Sequence, residues 1–147
     1  VVYGVDPGDT WGEEINAGDF DGDGMIDLVV GALTADGPAN ARGNAGEAAL
    51  ILGVPGFRGR VVDLASPPAG VTFFEGAIAG EIAGDTALLA DLDADGRDDL
   101  VIGRPGANPG VGAKAGATDV FFARAEPLPG RIDLGAPPAQ WQPLAIA

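Results

Sequence analysis

The chain contains no histidine and no cysteine, one methionine (Met25) and one serine (Ser66) among its 147 residues. These absences exclude whole classes of chemistry. Without His or Cys there is no Ser-His-Asp or Cys-His nucleophile, no zinc site of Cys or His ligands, and no disulfide. Basic residues are scarce too: 8 against 22 acidic side chains, for a formal charge of −14. Arg42, Arg58, Arg60, Arg97, Arg104, Lys114, Arg124 and Arg131 are scattered along the sequence, so no basic stripe forms. A phosphate backbone or an anionic lipid surface is repelled by such a chain. Apolar runs are short and interrupted by Gly and Asp, and nothing reads as a bilayer-spanning helix. No basic segment followed by an apolar core stands at the start, so no leader is expected within this numbering.

What is present is a hydrophobic fraction of 46%, sufficient for a folded core, punctuated by 25 Gly and 12 Pro. Short β-branched runs separated by such turn residues predict many strands. No dozen residues keep an apolar helical period free of Gly and Pro, so helices are expected to be few.

The sequence repeats itself. Gly18–Gly31 returns as Ala90–Gly103 at an offset of 72 residues, and Val1–Gly4 returns as Phe73–Gly76. Further on, Leu50–Leu52 pairs with Val120–Phe122, and Asp63–Pro68 with Asp133–Pro138, at an offset of 70. Two copies of one supersecondary unit are therefore expected. Strands are predicted at Glu14–Ala17, Leu28–Ala32, Ala48–Leu52 and Val71–Phe74 in the first copy. The second copy offers Ala87–Ala90, Leu100–Gly103, Val120–Phe122 and Trp141–Ile146. Four short strands per unit predict a small antiparallel sheet of the propeller-blade type. The Pro67-Pro68 and Pro137-Pro138 pairs fall in the extended connection before each last strand.

Acidic residues concentrate at one place in each unit. Asp19, Asp21, Asp23 and Asp27 occupy positions 1, 3, 5 and 9 of a loop with Gly24 at position 6. Asp91, Asp93, Asp95 and Asp99, with Gly96, repeat the pattern. Alternate carboxylates on a tight turn can face inward together, and the position-7 residue, Met25 or Arg97, can add a backbone carbonyl. That oxygen set suits Ca²⁺ better than Mg²⁺, which keeps several waters. An EF-hand is excluded: Val30 and Ile102 stand where it needs a bidentate Glu, and strands rather than helices flank the loops. Asp98, at position 8, is expected to point outward and is left out of the ligand set. The other carboxylates, Asp6, Asp9, Glu13, Glu14, Asp36, Asp63, Asp85 and Asp133 among them, read as solvated turn residues.

These loops resemble the FG-GAP repeat of integrin α-subunit propellers and their bacterial relatives. That motif runs Phe-Gly, an Asp-x-Asp-x-Asp-Gly-x-x-Asp loop, then Gly-Ala-Pro. Here Trp11-Gly12 and Ala83-Gly84 take the Phe-Gly place, while Gly31-Ala32-Leu33 and Gly103-Arg104-Pro105 take the place of Gly-Ala-Pro. The resemblance implies an all-β fold of two four-stranded antiparallel blades, incomplete as a closed propeller. It implies one Ca²⁺ in the loop between the first two strands of each blade, and a Trp11 wedged between blades. Residues 1–76 are then a first repeat, with an extra strand at 1–5 belonging to a preceding blade, and 77–147 a second. Both ends are in the phase of a blade's last strand, so an excerpt from a longer array, or strand exchange between copies, is expected. Two blades alone leave apolar sheet faces wet, which makes a homo-oligomer or filament, or further repeats, the expectation.

The resemblance implies a non-enzymatic function: a calcium-binding extracellular or cell-surface structural and adhesion module that binds a protein partner or copies of itself. No nucleic acid or membrane insertion is expected. The resemblance also implies an alternative, a catalytic or non-catalytic part of a secreted carbohydrate-active or lipid-cleaving enzyme, since related propellers occur in such proteins; a carboxylate pair can hydrolyse glycosides without His or Ser.

Overall fold

Short apolar runs between glycines leave the chain few options other than narrow sheets, and the computed structural model consists of them. It describes residues 1–108, 115–142 and 144–145. The strands are β1 (Val2–Tyr3), β2 (Trp11–Gly18), β3 (Asp27–Ala32), β4 (Glu47–Ile51), β5 (Val62–Asp63) and β6 (Val71–Glu75). They continue as β7 (Thr86–Ala90), β8 (Asp99–Arg104), β9 (Ala117–Phe121), β10 (Arg131–Asp133) and β11 (Leu144–Ala145). Among the described residues there is no α-helix, only two single 3₁₀ turns, Pro38–Asn40 and Ala139–Trp141.

Among the described residues three sheets form and none closes on itself. The first has the order β10-β6-β4-β3-β2, the second β11-β9-β8-β7, and β1 pairs with β5 alone. Within each large sheet the strands of one repeat run antiparallel, as expected from the hairpin-forming acidic loops. The first sheet carries five strands rather than the expected four, because β10 from the second repeat adds to its edge in parallel. The predicted last strand also needs correction. Trp141 lies in a 3₁₀ turn, the described part of the strand is Leu144–Ala145, and Pro143, Ile146 and Ala147 fall outside the described residues.

The pairing across the repeat boundary is itself repeated. Glu75 of β6 sits opposite Asp133 of β10, and Tyr3 of β1 sits opposite Asp63 of β5, both in parallel. Tyr3 and Glu75 are 72 residues apart, Asp63 and Asp133 seventy. β1 thus holds β5 as β6 holds β10.

Every residue of β4 and β6 is buried, because the five-stranded sheet is covered on both faces. One face places Val29, Ala48, Leu50 and Phe74 against Ala87, Leu89, Leu100, Ile102 and Phe121 of the second sheet. Phe74 and Phe121 meet at 4.9 Å between ring centroids. The other face, with Val30, Ala49, Ile51, Val71 and Phe73, is closed by Val62, Leu64, Val2, Val5 and Trp11. Trp11 is half-buried and meets Phe73 edge-on at 6.0 Å. Its indole packs between β1 and the sheet so closely that a side chain at Gly4 would collide with it.

Candidate metal centre

Each acidic loop joins the first two strands of its repeat, β2 to β3 and β7 to β8. The hairpin turns within a few residues because Gly24 (φ +83°) and Gly96 (φ +91°) adopt the left-handed conformation that costs an L-residue dearly. Position 4 is left-handed as well: Gly22 (φ +73°) in the first loop, Ala94 (φ +63°) in the second.

The aspartates organise the turn through backbone N–H groups. Asp19 accepts from Asp23 N–H (3.1 Å) and Gly24 N–H (2.9 Å), and Asp91 accepts from Asp95 N–H (3.2 Å) and Gly96 N–H (3.1 Å). Asp21 takes Asp23 N–H at 3.2 Å, and Asp93 takes Asp95 N–H at 3.1 Å. Asp27 and Asp99 open their strands and are buried struts. Asp27 accepts Phe20 N–H and Gly53 N–H, both at 2.7 Å; Asp99 accepts Leu92 N–H (3.0 Å) and Ala123 N–H (2.9 Å). Burial pushes the Asp27 carboxyl up from its ordinary range, and those two N–H groups oppose the shift.

Carboxylate oxygens of Asp19, Asp21 and Asp27 lie within 4.8 Å of one another, and those of Asp91, Asp93 and Asp99 do the same. Asp23 and Asp95 stand outside these clusters. Each turns an oxygen to the N–H two residues on, Met25 at 2.7 Å and Arg97 at 2.9 Å. Met25 and Arg97 therefore sit at the turn, with their N–H groups engaged by position 5. Among the described residues no Lys or Arg forms an ion pair with any of the six clustered aspartates. Three carboxylates held this close repel one another, and a hard cation that accepts only oxygen donors is the neutralising species they fit.

Asp98 differs from its expected placement. It points to the first loop rather than outward, accepting Asp19 N–H at 2.7 Å. Arg97 packs its side chain over Gly22, so the two acidic loops touch.

Beside the first loop lies a cleft of about 840 Å³, lined by Phe20, Asp21, Leu52, Arg124, Leu128 and Arg131 among others. Reading the sequence missed a second feature altogether, the buried Glu47. Its signal is an acid at the head of the apolar run Ala48–Leu52, directly opposite Glu75 in the neighbouring strand.

A repeated all-β unit with an acidic hairpin between its first two strands defines the class. Residues 83–121, from the turn before β7 to the end of β9, match the model of the FG-GAP repeat family. No curated protein matches the chain.

Proposed function

We propose that this chain is a calcium-binding extracellular module of β-propeller type, built as two four-stranded blades, that acts structurally or in adhesion. β2-β3-β4-β6 is the first blade and β7-β8-β9-β11 the second. β1 takes the place of a neighbouring blade's outer strand, paired to β5 as β6 is to β10.

One observation carries this reading: the same three-carboxylate cluster occurs twice, at equivalent positions of two repeats, with the same backbone N–H pattern. An ornamental acidic turn has no need to keep both. Asp19, Asp21 and Asp27 hold one ion, and Asp91, Asp93 and Asp99 the other. Calcium supplies neutralisation of the clustered charge. Asp23 and Asp95 hold the turn, and the carbonyls of Met25 and Arg97 are the further oxygens. Binding free energy adds to stability because the unfolded chain presents no preformed site. Sites of this acidity and openness are filled at extracellular calcium levels, which supports a cell-surface or secreted location. The module is non-enzymatic, and its partners are another protein or further copies of itself, docked through blade faces.

Thermal unfolding followed with and without EDTA, paired with light scattering, tests this. A calcium-dependent melting temperature and a particle mass above one chain are expected. A monomer whose melting is indifferent to EDTA overturns it.

A further inference from the structure

The two repeats differ in charge at one end of their sheets. In the second, Arg104 closes β8 and pairs with Glu81 and Asp119, each at 2.5 Å. Both carboxylates are buried and one guanidinium bridges them. The repeat offsets map Glu81 onto Asp9, Arg104 onto Ala32, Asp119 onto Ala49 and Ala117 onto Glu47. Arg104 lies opposite Ala117 in the β8–β9 pair, just as Ala32 lies opposite Glu47 in the β3–β4 pair. The first repeat therefore keeps two buried carboxylates here, Asp9 and Glu47, and has alanine where the second has its arginine.

Glu47 is 5% exposed, and its carboxylate has no hydrogen bond and no ion pair with the described residues. It lines a cavity of about 520 Å³ together with Asp6, Asp9, Asn40, Glu75 and Arg131. Arg131 is already committed to one of these carboxylates: it pairs with Glu75 and lies over the Phe73 ring, 4.5 Å from its centroid. Asn40 donates to Asp6 at 3.1 Å. Four carboxylates thus face one guanidinium. Burial first, and then Glu75, pushes the Glu47 carboxyl up to about 7; Asp9 and Asp6 add to this and Arg131 opposes it. A buried carboxylate without a partner is costly, and a cation reverses that cost.

The kind of cation follows from the donor layout. No three carboxylate oxygens converge here as they do in the acidic loops, so the cavity lacks the compact shell a divalent ion needs. A guanidinium instead spreads five N–H donors over separated acceptors, as Arg104 does between Glu81 and Asp119. We propose that the cavity bounded by Asp6, Asp9, Glu47 and Glu75 is a binding site for a guanidinium group, supplied by an arginine side chain of a protein partner or of a second copy of this chain.

The test uses the whole chain in calcium-containing buffer, titrated with N-acetyl-L-arginine amide and followed by amide NMR shifts. Saturable binding, with the largest shifts around Asp9, Asn40, Glu47 and Glu75, is expected. The citrulline analogue, alike in shape but uncharged, does not bind. Glu47→Gln and Glu47→Ala, the latter copying Ala117, each weaken binding at least tenfold. Asp63→Asn, on the exposed edge of β5, leaves it unchanged. The dispersion of each variant's spectrum reports its fold, and Asp9→Asn gives a second reading from the other buried carboxylate. Lack of saturable binding, equal binding of the citrulline analogue, or wild-type affinity in folded Glu47 variants overturns the proposal. Sedimentation of the wild type then identifies the source. A particle mass that falls on adding the arginine amide supports the site with a second copy as donor; an unchanged mass with binding retained supports it with another protein as donor.

Discussion

Asp98 reaches across the repeat boundary to Asp19: its Oδ2 accepts the Asp19 N–H at 2.7 Å, while its own N–H donates to the Asp19 carbonyl at 2.9 Å. The equivalent position in the first repeat is the exposed Ile26, so this double link exists once. A side chain at Gly18 would strike the Asp98 carboxylate, which shows how closely the two hairpins approach. Replacing Asp98 by Ala removes a charge-assisted hydrogen bond and leaves Asp19 N–H short of an acceptor, a loss of about 1.5–3 kcal/mol. Urea unfolding measures it; a midpoint equal to wild type contradicts the link.

Ala94 adopts a left-handed conformation (φ +63°) where the first loop has Gly22. That conformation costs an L-residue about 1–2 kcal/mol, partly offset by the extra freedom glycine has when unfolded. Ala94→Gly is therefore expected to raise stability by roughly 0.5–1 kcal/mol. Gly22→Ala goes the other way, since its Cβ also meets the Arg97 side chain at 2.8 Å. Denaturant midpoints of the two variants should move in opposite directions.

Glu47 sets a pH dependence. Its folded carboxyl, at about 7, is raised above the ordinary value of 4.5, so the native state binds the proton more tightly than the unfolded chain does. From this group stability is greatest below pH 4.5, falls as the pH rises towards 7, and then levels off, by about 3 kcal/mol in all. Asp9 and Asp119, also raised by burial, push in the same direction; Asp133, lowered by Arg42, pushes in the opposite direction at lower pH. Glu47→Gln should gain stability at pH 8 and little at pH 4.5. Equal effects at both contradict the assignment.

Arg104 sits between two buried carboxylates and is itself nearly buried. Truncating it to Met leaves Glu81 and Asp119 charged, buried and without their counter-ion, at a cost of about 3–5 kcal/mol. Restoring the balance with Asp119→Asn in the Arg104→Met background should recover part of that loss. A double-mutant cycle by chemical denaturation measures the coupling.

The repeat made most strands legible, because short apolar runs bounded by turn residues fix strand positions to within a few residues. Glu14–Ala17 was read short by three residues at its start: the glycine and two acids after Trp11 break the apolar pattern, yet the chain stays extended there through a register shift between Trp11 and Ile15. β5 and β10 were invisible for a different reason. Each has two or three residues and exists only because β1 or β6, distant in sequence, lies alongside. The acidic loops could be read from spacing alone, but not the split between Asp21 and Asp23: both cap the N–H two residues on, and only the path of the turn brings Asp21 to Asp19 and Asp27. Asp98 and Glu47 escaped because their roles are set by the neighbouring repeat and by the opposite strand, and local spacing records neither.

Each of the two carboxylate clusters is proposed to hold one calcium ion. Calorimetric titration of the metal-free chain, compared with Asp21→Asn, Asp93→Asn and the double variant, addresses it most directly. Asparagine keeps an oxygen for the Asp23 or Asp95 N–H, so the turn survives while the site loses a charge. The expected result is one ion per cluster, hence two per wild-type chain, one strong site in each single variant and none in the double. Absence of calcium heat in the wild type, or wild-type stoichiometry and affinity in the double variant, contradicts it.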